Sequence, residues 1–232
     1  MRRHPLLLLL LLPALLLAAC TTPAPEAPVR ERLNDNFLAE DLDVSRYEGI
    51  FEGESREVFV QRERIAASLG PLVGRDVADV GAGTGLFTGL FSTAAGEHGR
   101  VYAVDISERF VEHVAQRSAQ EGWTNVTAVL ADERDCNLAR ASVDLVFVCD
   151  TYHHFTYPRT TLDSLRRALR RGGELWIVDF ERIPGVSREW ILGHVRAGKQ
   201  DVIAEIEAAG FTLVAEVEIA GLEENYVLRF RR

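Results

Sequence analysis

Residues Asp79-Val80-Gly81-Ala82-Gly83-Thr84-Gly85 join a short apolar run to a glycine loop that opens a helix. Such a loop holds a small ligand through its backbone. Gly81, Gly83 and Gly85 lack the Cβ atoms that block tight turning and close approach, and the helix that follows presents unpaired N–H groups. The glycines fall at G-x-G-x-G, with an acid two positions before the first, and not at the G-x-G-x-x-G of a dinucleotide site. That spacing argues against NAD and for another nucleoside cofactor. A second β-type run, Val101-Tyr102-Ala103-Val104, ends at Asp105, about twenty residues past the loop, where a nucleotide fold places a carboxylate over ribose hydroxyls.

Three more segments follow in order. Val126 to Leu130 is a third apolar run with Asp132 just beyond it. Val143 to Val148 is a fourth, followed by Cys149-Asp150-Thr151-Tyr152-His153-His154-Phe155. Leu169-Arg170-Arg171-Gly172-Gly173 then leads into Glu174-Leu175-Trp176-Ile177-Val178-Asp179. Together with the loop, this series resembles the class I S-adenosylmethionine-dependent methyltransferases over residues 58–232. The resemblance implies that the loop holds the methionine end of the cofactor and that Asp132 hydrogen-bonds its adenine amino group. It makes Asp79, Gly81, Ala82, Gly83, Thr84, Gly85, Asp105, Ile106, Asp132 and Asp150 the S-adenosylmethionine site. Residues 150–154 and the aliphatic fifth strand look most like small-molecule methyltransferases related to quinone-biosynthesis enzymes, which implies a small-molecule or lipid-soluble acceptor.

Methyl transfer from a sulfonium is an in-line displacement, so alignment of donor and acceptor supplies much of the catalysis; well-oriented reactions gain on the order of 7–11 kcal/mol from proximity. A base is needed only where the acceptor starts protonated. His153 and His154, just after strand four, are the candidates. The alternative is that one imidazole packs in the wall and the other is solvated. Tyr152 either shapes the donor pocket or packs. Asp150, His153, His154 and His194 are ordinary metal ligands by type, but their spacing is not diagnostic and no metal site is expected. Asp179, Glu181 and Glu223, near strand ends, are expected to be solvated.

Elements must position these groups. Val58, Ile65, Ala66 and Leu69 recur at helical spacing and predict a helix on the sheet edge, ended by Gly70-Pro71 and able to close over the cofactor. Trp190-Ile191-Leu192 and Val202-Ile203-Ile206 mark two later helices. Residues 211–219 and 226–230 read as a final antiparallel strand pair. The pattern predicts an α/β doubly wound, mostly parallel seven-stranded sheet with helices on both faces, its ligand beyond the carboxyl ends of strands one and four.

The N-terminus has a different layout. Met1-Arg2-Arg3-His4 is basic, Leu6 to Leu17 is almost all leucine, and this stretch is shorter than the ~20 residues a spanning helix needs. Leu17-Ala18-Ala19-Cys20 resembles a bacterial lipobox. The expected organisation is a signal peptide over 1–19, a lipidated Cys20 with a proline-rich tether over 20–30, and the methyltransferase domain over 31–232. A lipid anchor at the bacterial cell envelope follows, with Thr21 after the cysteine pointing to the outer membrane; a misplaced start codon would leave the domain cytoplasmic. Because S-adenosylmethionine is made in the cytosol, the leader also motivates a second function class, an envelope lipoprotein using the fold as a non-catalytic binding module. Gly81, Gly83, Gly85, Asp105 and Asp132 standing together favour the enzyme.

The net charge of −9 becomes −11 once residues 1–19, with two arginines and no acid, are removed. Nucleic acid is thus not an expected partner. The short basic clusters, Arg166-Arg167 with Arg170-Arg171 and Arg229 to Arg232, read as a helix C-terminus and a chain end. Cys136 and Cys149 are too few for a disulfide framework and read as structural thiols.

Overall fold

The computed structural model describes residues 25–54 and 56–232. The expected signal peptide and Cys20 lie outside them. Apolar runs and helices alternate as the periodicity predicts. The strands are β1 (Asp76–Val80), β2 (Arg100–Asp105), β3 (Val126–Leu130), β4 (Val143–Cys149), β5 (Leu169–Phe180), β6 (Thr212–Glu216) and β7 (Asn225–Arg231), and they form one seven-stranded sheet of order β3-β2-β1-β4-β5-β7-β6. The pairs from β3 to β5 are parallel, while β7 pairs antiparallel with both β5 and β6. The terminal pair is therefore present, but the last strand inserts between β5 and β6 and is the one that reverses direction.

The helices are α1 (Val44–Phe51), α2 (Glu57–Val60), α3 (Arg62–Ser68), α4 (Leu86–Ala95), α5 (Glu108–Glu121), α6 (Pro158–Ala168), α7 (Glu189–His194) and α8 (Lys199–Ala208). The stretch predicted as one helix over 58–69 is α2 and α3, interrupted at Gln61. Strand β4 shows how the sheet is covered. Val146 and Val148 enter one core with Leu162 and Leu165 of α6 and Ile206 of α8, whereas Leu145 and Phe147 enter the other with Phe87 and Phe91 of α4 and Ile65 of α3. That two-residue alternation, apolar on both faces, is the signature of a sheet with helices on each side. Phe147 lies 4.8 Å from Phe87 and 5.1 Å from Phe91, ring centre to ring centre, and its removal should cost about 3–5 kcal/mol.

The end of α6 bears Arg166 and Arg167, and Arg167 pairs with Asp135 at 3.0 Å. Arg170 bridges Asp76 and Asp144, each at 2.8 Å, and Arg229 pairs with Glu174. These arginines of the two basic clusters are thus engaged within the domain. Glu26, inside the segment expected to be tether, is bound to the domain: its carboxylate accepts the N–H groups of Arg159 and Thr160 in the first turn of α6. Cys136 and Cys149 are free thiols, the first buried and the second half-buried. Among the described residues, no helix is long and apolar enough to cross a membrane.

Candidate active site

A cavity of about 600 Å³ opens beyond the carboxyl ends of β1, β2 and β4, at the switch point where β2 and β4 flank β1. Of the residues expected to bind cofactor, Asp79, Gly81, Ala82, Gly83, Thr84, Asp105, Ile106, Asp132 and Asp150 line it. Gly85 does not. It caps α4 in the left-handed conformation, φ +87°. Gly81 is required by its neighbours as much as by any ligand: its φ is +73°, and a Cβ there would sit 2.2 Å from Cγ2 of Thr151 in the loop after β4.

Backbone bonds tie the glycine loop to β2. The N–H groups of Gly81 and Ala82 donate to the Val104 carbonyl at 2.8 and 3.1 Å, and that of Gly83 donates to Oδ2 of Asp105 at 2.8 Å. Oδ1 of Asp105 accepts from Ser107 N–H at 2.9 Å, so this carboxylate shapes the loop as well as facing the cavity. Asp79 accepts from the Thr88 hydroxyl at 2.6 Å. Burial pushes Asp79 up to about 7, helped by the charge of Asp105, and burial alone lifts Asp105 to about 6. Asp132 is exposed and turns the chain through the N–H groups of Arg134 and Asp135. Asp150, at φ +46°, bonds Arg56 and, at 2.6 Å, Asn225; burial raises it to about 6 against the pull of Arg56.

The N-terminal segment forms a cover that sequence reasoning missed. Phe37, Tyr47 and Phe51 cluster on Phe110 of α5 at centroid distances of 5.6–6.3 Å. Beyond α1, Glu52 accepts from the Thr84 hydroxyl at 2.7 Å and from Arg117 at 2.6 Å, and Arg117 also donates to the Thr84 carbonyl at 2.9 Å. The local signal was Tyr47 and Phe51 four apart behind Asp43, which caps α1 through Arg46 N–H.

The side of the cavity beyond β4 and β5 is aromatic and imidazole-rich, with Phe155, Phe180 and Trp190 beside His153, His154 and His194. His153 is buried, its Nδ1 is 2.7 Å from Oδ1 of Asp179, and its N–H donates to Oδ2 at 3.0 Å. Burial opposes the His153 cation, but the Asp179 carboxylate outweighs it and raises the ring's pKa. Asp179 is 1% exposed, so the expectation that it is solvated was wrong; its carboxylate is enclosed because β5 runs on past it, and it serves an imidazole from the neighbouring loop. Glu181 pairs with Lys199 at 2.8 Å, and Glu223 is exposed. Tyr152 does not shape the pocket. It is fully buried on the other face, its hydroxyl donating to Glu205 at 2.8 Å. His194, distant in sequence, brings its Nε2 within 3.2 Å of Nε2 of His154.

Residues 78–177 match the family described as a methyltransferase domain. The ubiquinone/menaquinone biosynthesis C-methyltransferase UbiE of Burkholderia mallei is 28% identical over 110 residues, which are 47% of this chain and 45% of that protein. The chain thus spans less than half the length of the curated relative it matches. Among solved structures, an S-adenosylmethionine-dependent methyltransferase from Aquifex aeolicus superposes with a TM-score of 0.72 at 24% identity, covering 82% of this chain and 98% of that one. The [4+2]-cyclase SpnF gives 0.63 at 15% identity, covering 74% and 80%. The fold is the Rossmann-like methyltransferase fold, and the segment that builds the glycine loop and the strand-four turn is similar to a methyltransferase domain. S-adenosylmethionine is the cofactor this match implies, and the cavity fits it: the polar groups at the loop are carboxylates, acceptors suited to a cationic, hydroxyl-bearing ligand without phosphate.

Proposed function

We propose that this protein is an S-adenosylmethionine-dependent methyltransferase acting on a small aromatic or lipid-soluble acceptor. The observation that carries the reading is the two-ended cavity. Carboxylates and the glycine loop stand at one end, and an aromatic wall with a carboxylate-backed imidazole stands at the other. The bound cofactor would supply an electrophilic methyl group. Asp79, Asp105 and Asp132 would hold it by accepting hydrogen bonds and by their charge, while Gly81 to Thr84 would receive its amino-acid end.

The chain's own part is orientation and proton handling. Asp179 accepts from Nδ1–H of His153, which leaves the Nε2 lone pair to take a proton from an acceptor hydroxyl or carbon acid. Phe37 and Phe51 exclude water from one side, and Phe180 and Trp190 give the acceptor apolar surface. The quinone-pathway C-methyltransferases similar to this chain support an aromatic acceptor. The SpnF likeness shows the fold alone, and fold does not fix reaction. The leader supports delivery to the cell envelope with lipid on Cys20, and metabolic labelling with a radiolabelled fatty acid, lost in Cys20→Ala, tests it. That leader also favours a second reading, a binding module without turnover.

Calorimetric titration of the full chain with S-adenosylmethionine and S-adenosylhomocysteine tests the proposal. Micromolar binding is expected, weakened at least tenfold in Asp105→Ala, about 1.4 kcal/mol. No binding at millimolar ligand overturns it, and binding without methyl transfer to any hydroquinone or phenol favours the second reading.

A further inference from the structure

Three imidazoles meet at the aromatic end of the cavity. His153 and His154 come from the turn after β4 and His194 from the end of α7, and each can offer a ring nitrogen such that all three atoms lie within 4.8 Å of one another. Nδ1 of His153 faces Asp179, so Nε2 is the atom left to the cluster.

We propose that His153, His154 and His194 bind a divalent first-row transition ion, with zinc the ion suited to three imidazoles, and leave one coordination position open to the cavity. The 3.2 Å between the two Nε2 atoms is close to the ~3.3–3.4 Å expected for two nitrogens about 2.0–2.1 Å from one tetrahedral ion. Asp179 stands behind His153 as the carboxylate partner that metal-bound histidines ordinarily have, fixing the tautomer and raising ligand basicity. Asp150 does not join, because Arg56 and Asn225 occupy it. His194 is exposed while His153 is buried, so the ion has a path from solvent to a partly enclosed site. At the open position an acceptor hydroxyl would bind as the alkoxide or phenolate, its proton passing to solvent water at the His194 side, and the ion takes the place of the free His153 lone pair as the activating group.

The ion site stands on the histidines and not on the cofactor, so a failure of cofactor binding leaves it intact. The test is a Zn²⁺ titration of the metal-stripped full chain against a chromophoric chelator, without an affinity tag. One ion per chain with submicromolar affinity is expected. His194→Ala, at an exposed position that tolerates truncation, should weaken it at least 100-fold, and Asp179→Asn, which removes no ligand, should weaken it about 10- to 100-fold. His98→Ala, on an exposed loop, should leave it unchanged. Zn²⁺ should raise the melting temperature of the wild-type chain but not of His194→Ala. Absence of stoichiometric binding below 100 µM, or equal affinity in wild type and His194→Ala, overturns the proposal.

Discussion

Asp179, on β5, accepts both the backbone N–H and the ring Nδ1–H of His153, from the turn after β4, at 3.0 and 2.7 Å. The two strands are parallel neighbours, Cys149 opposite Val178, so the sheet itself sets this pair at the cavity floor. The bond fixes the tautomer and holds up the ring's pKa. In Asp179→Asn, assayed without added metal ion so that Nε2 of His153 is free, that support is lost. The acid limb of the kcat/KM profile should move to lower pH, and kcat should fall by about ten- to a hundredfold with KM for the cofactor unchanged. A pH-rate series on a hydroquinone acceptor reads both; an unmoved limb would remove His153 from proton handling.

Asp79 gives a pH signature of stability. Its folded value, about 7, lies above the ordinary aspartate value of 3.8, so between those limits the folded state binds more protons than the unfolded one. Stability then falls as pH rises through that window and is lowest above it. Asp79→Asn still accepts from Thr88 and does not titrate. It should melt with wild type at about pH 4 and about 7–15 °C above it at about pH 8. Scanning calorimetry at both values checks the sign.

Gly81→Ala should destabilise the ligand-free protein. The left-handed backbone costs a β-carbon about 1–2 kcal/mol, and the contact at 2.2 Å from Thr151 adds overpacking of about 1–3 kcal/mol. Urea midpoints should report a loss of about 2–5 kcal/mol; a loss under about 1 kcal/mol would mean the β4 turn gives way freely.

Glu52 latches the cover to the glycine loop through Thr84 and Arg117. In Glu52→Gln the charged pair is gone, although both side chains are partly exposed and the global cost is small. Amide exchange in α1 should accelerate several-fold while that in β4 stays as in wild type. Cofactor release should quicken to match. Unchanged α1 exchange would show that the aromatic cluster alone seats the cover.

The glycine loop, the strand ends at Asp105 and Asp150 and the alternation of strands with helices were legible in the chain because turn chemistry and periodicity are local. A G-x-G-x-G run after an apolar strand carries its own geometry, and β4 shows its two buried faces in seven consecutive residues. The expectation for Asp179 failed for the same reason: a strand-end acid shows nothing locally of an imidazole 26 positions away. Likewise His194 approaches His154 across 40 positions, β7 slips between β5 and β6, and Phe51 reaches Phe110 to cover the loop. These relations arise when the sheet sets strand neighbours and the helices pack on its two cores. Local residue types thus determined what kind of ligand end the loop can hold, while only tertiary packing decided which side chains surround it, because burial and pairing are properties of segments brought together and not of the segments alone.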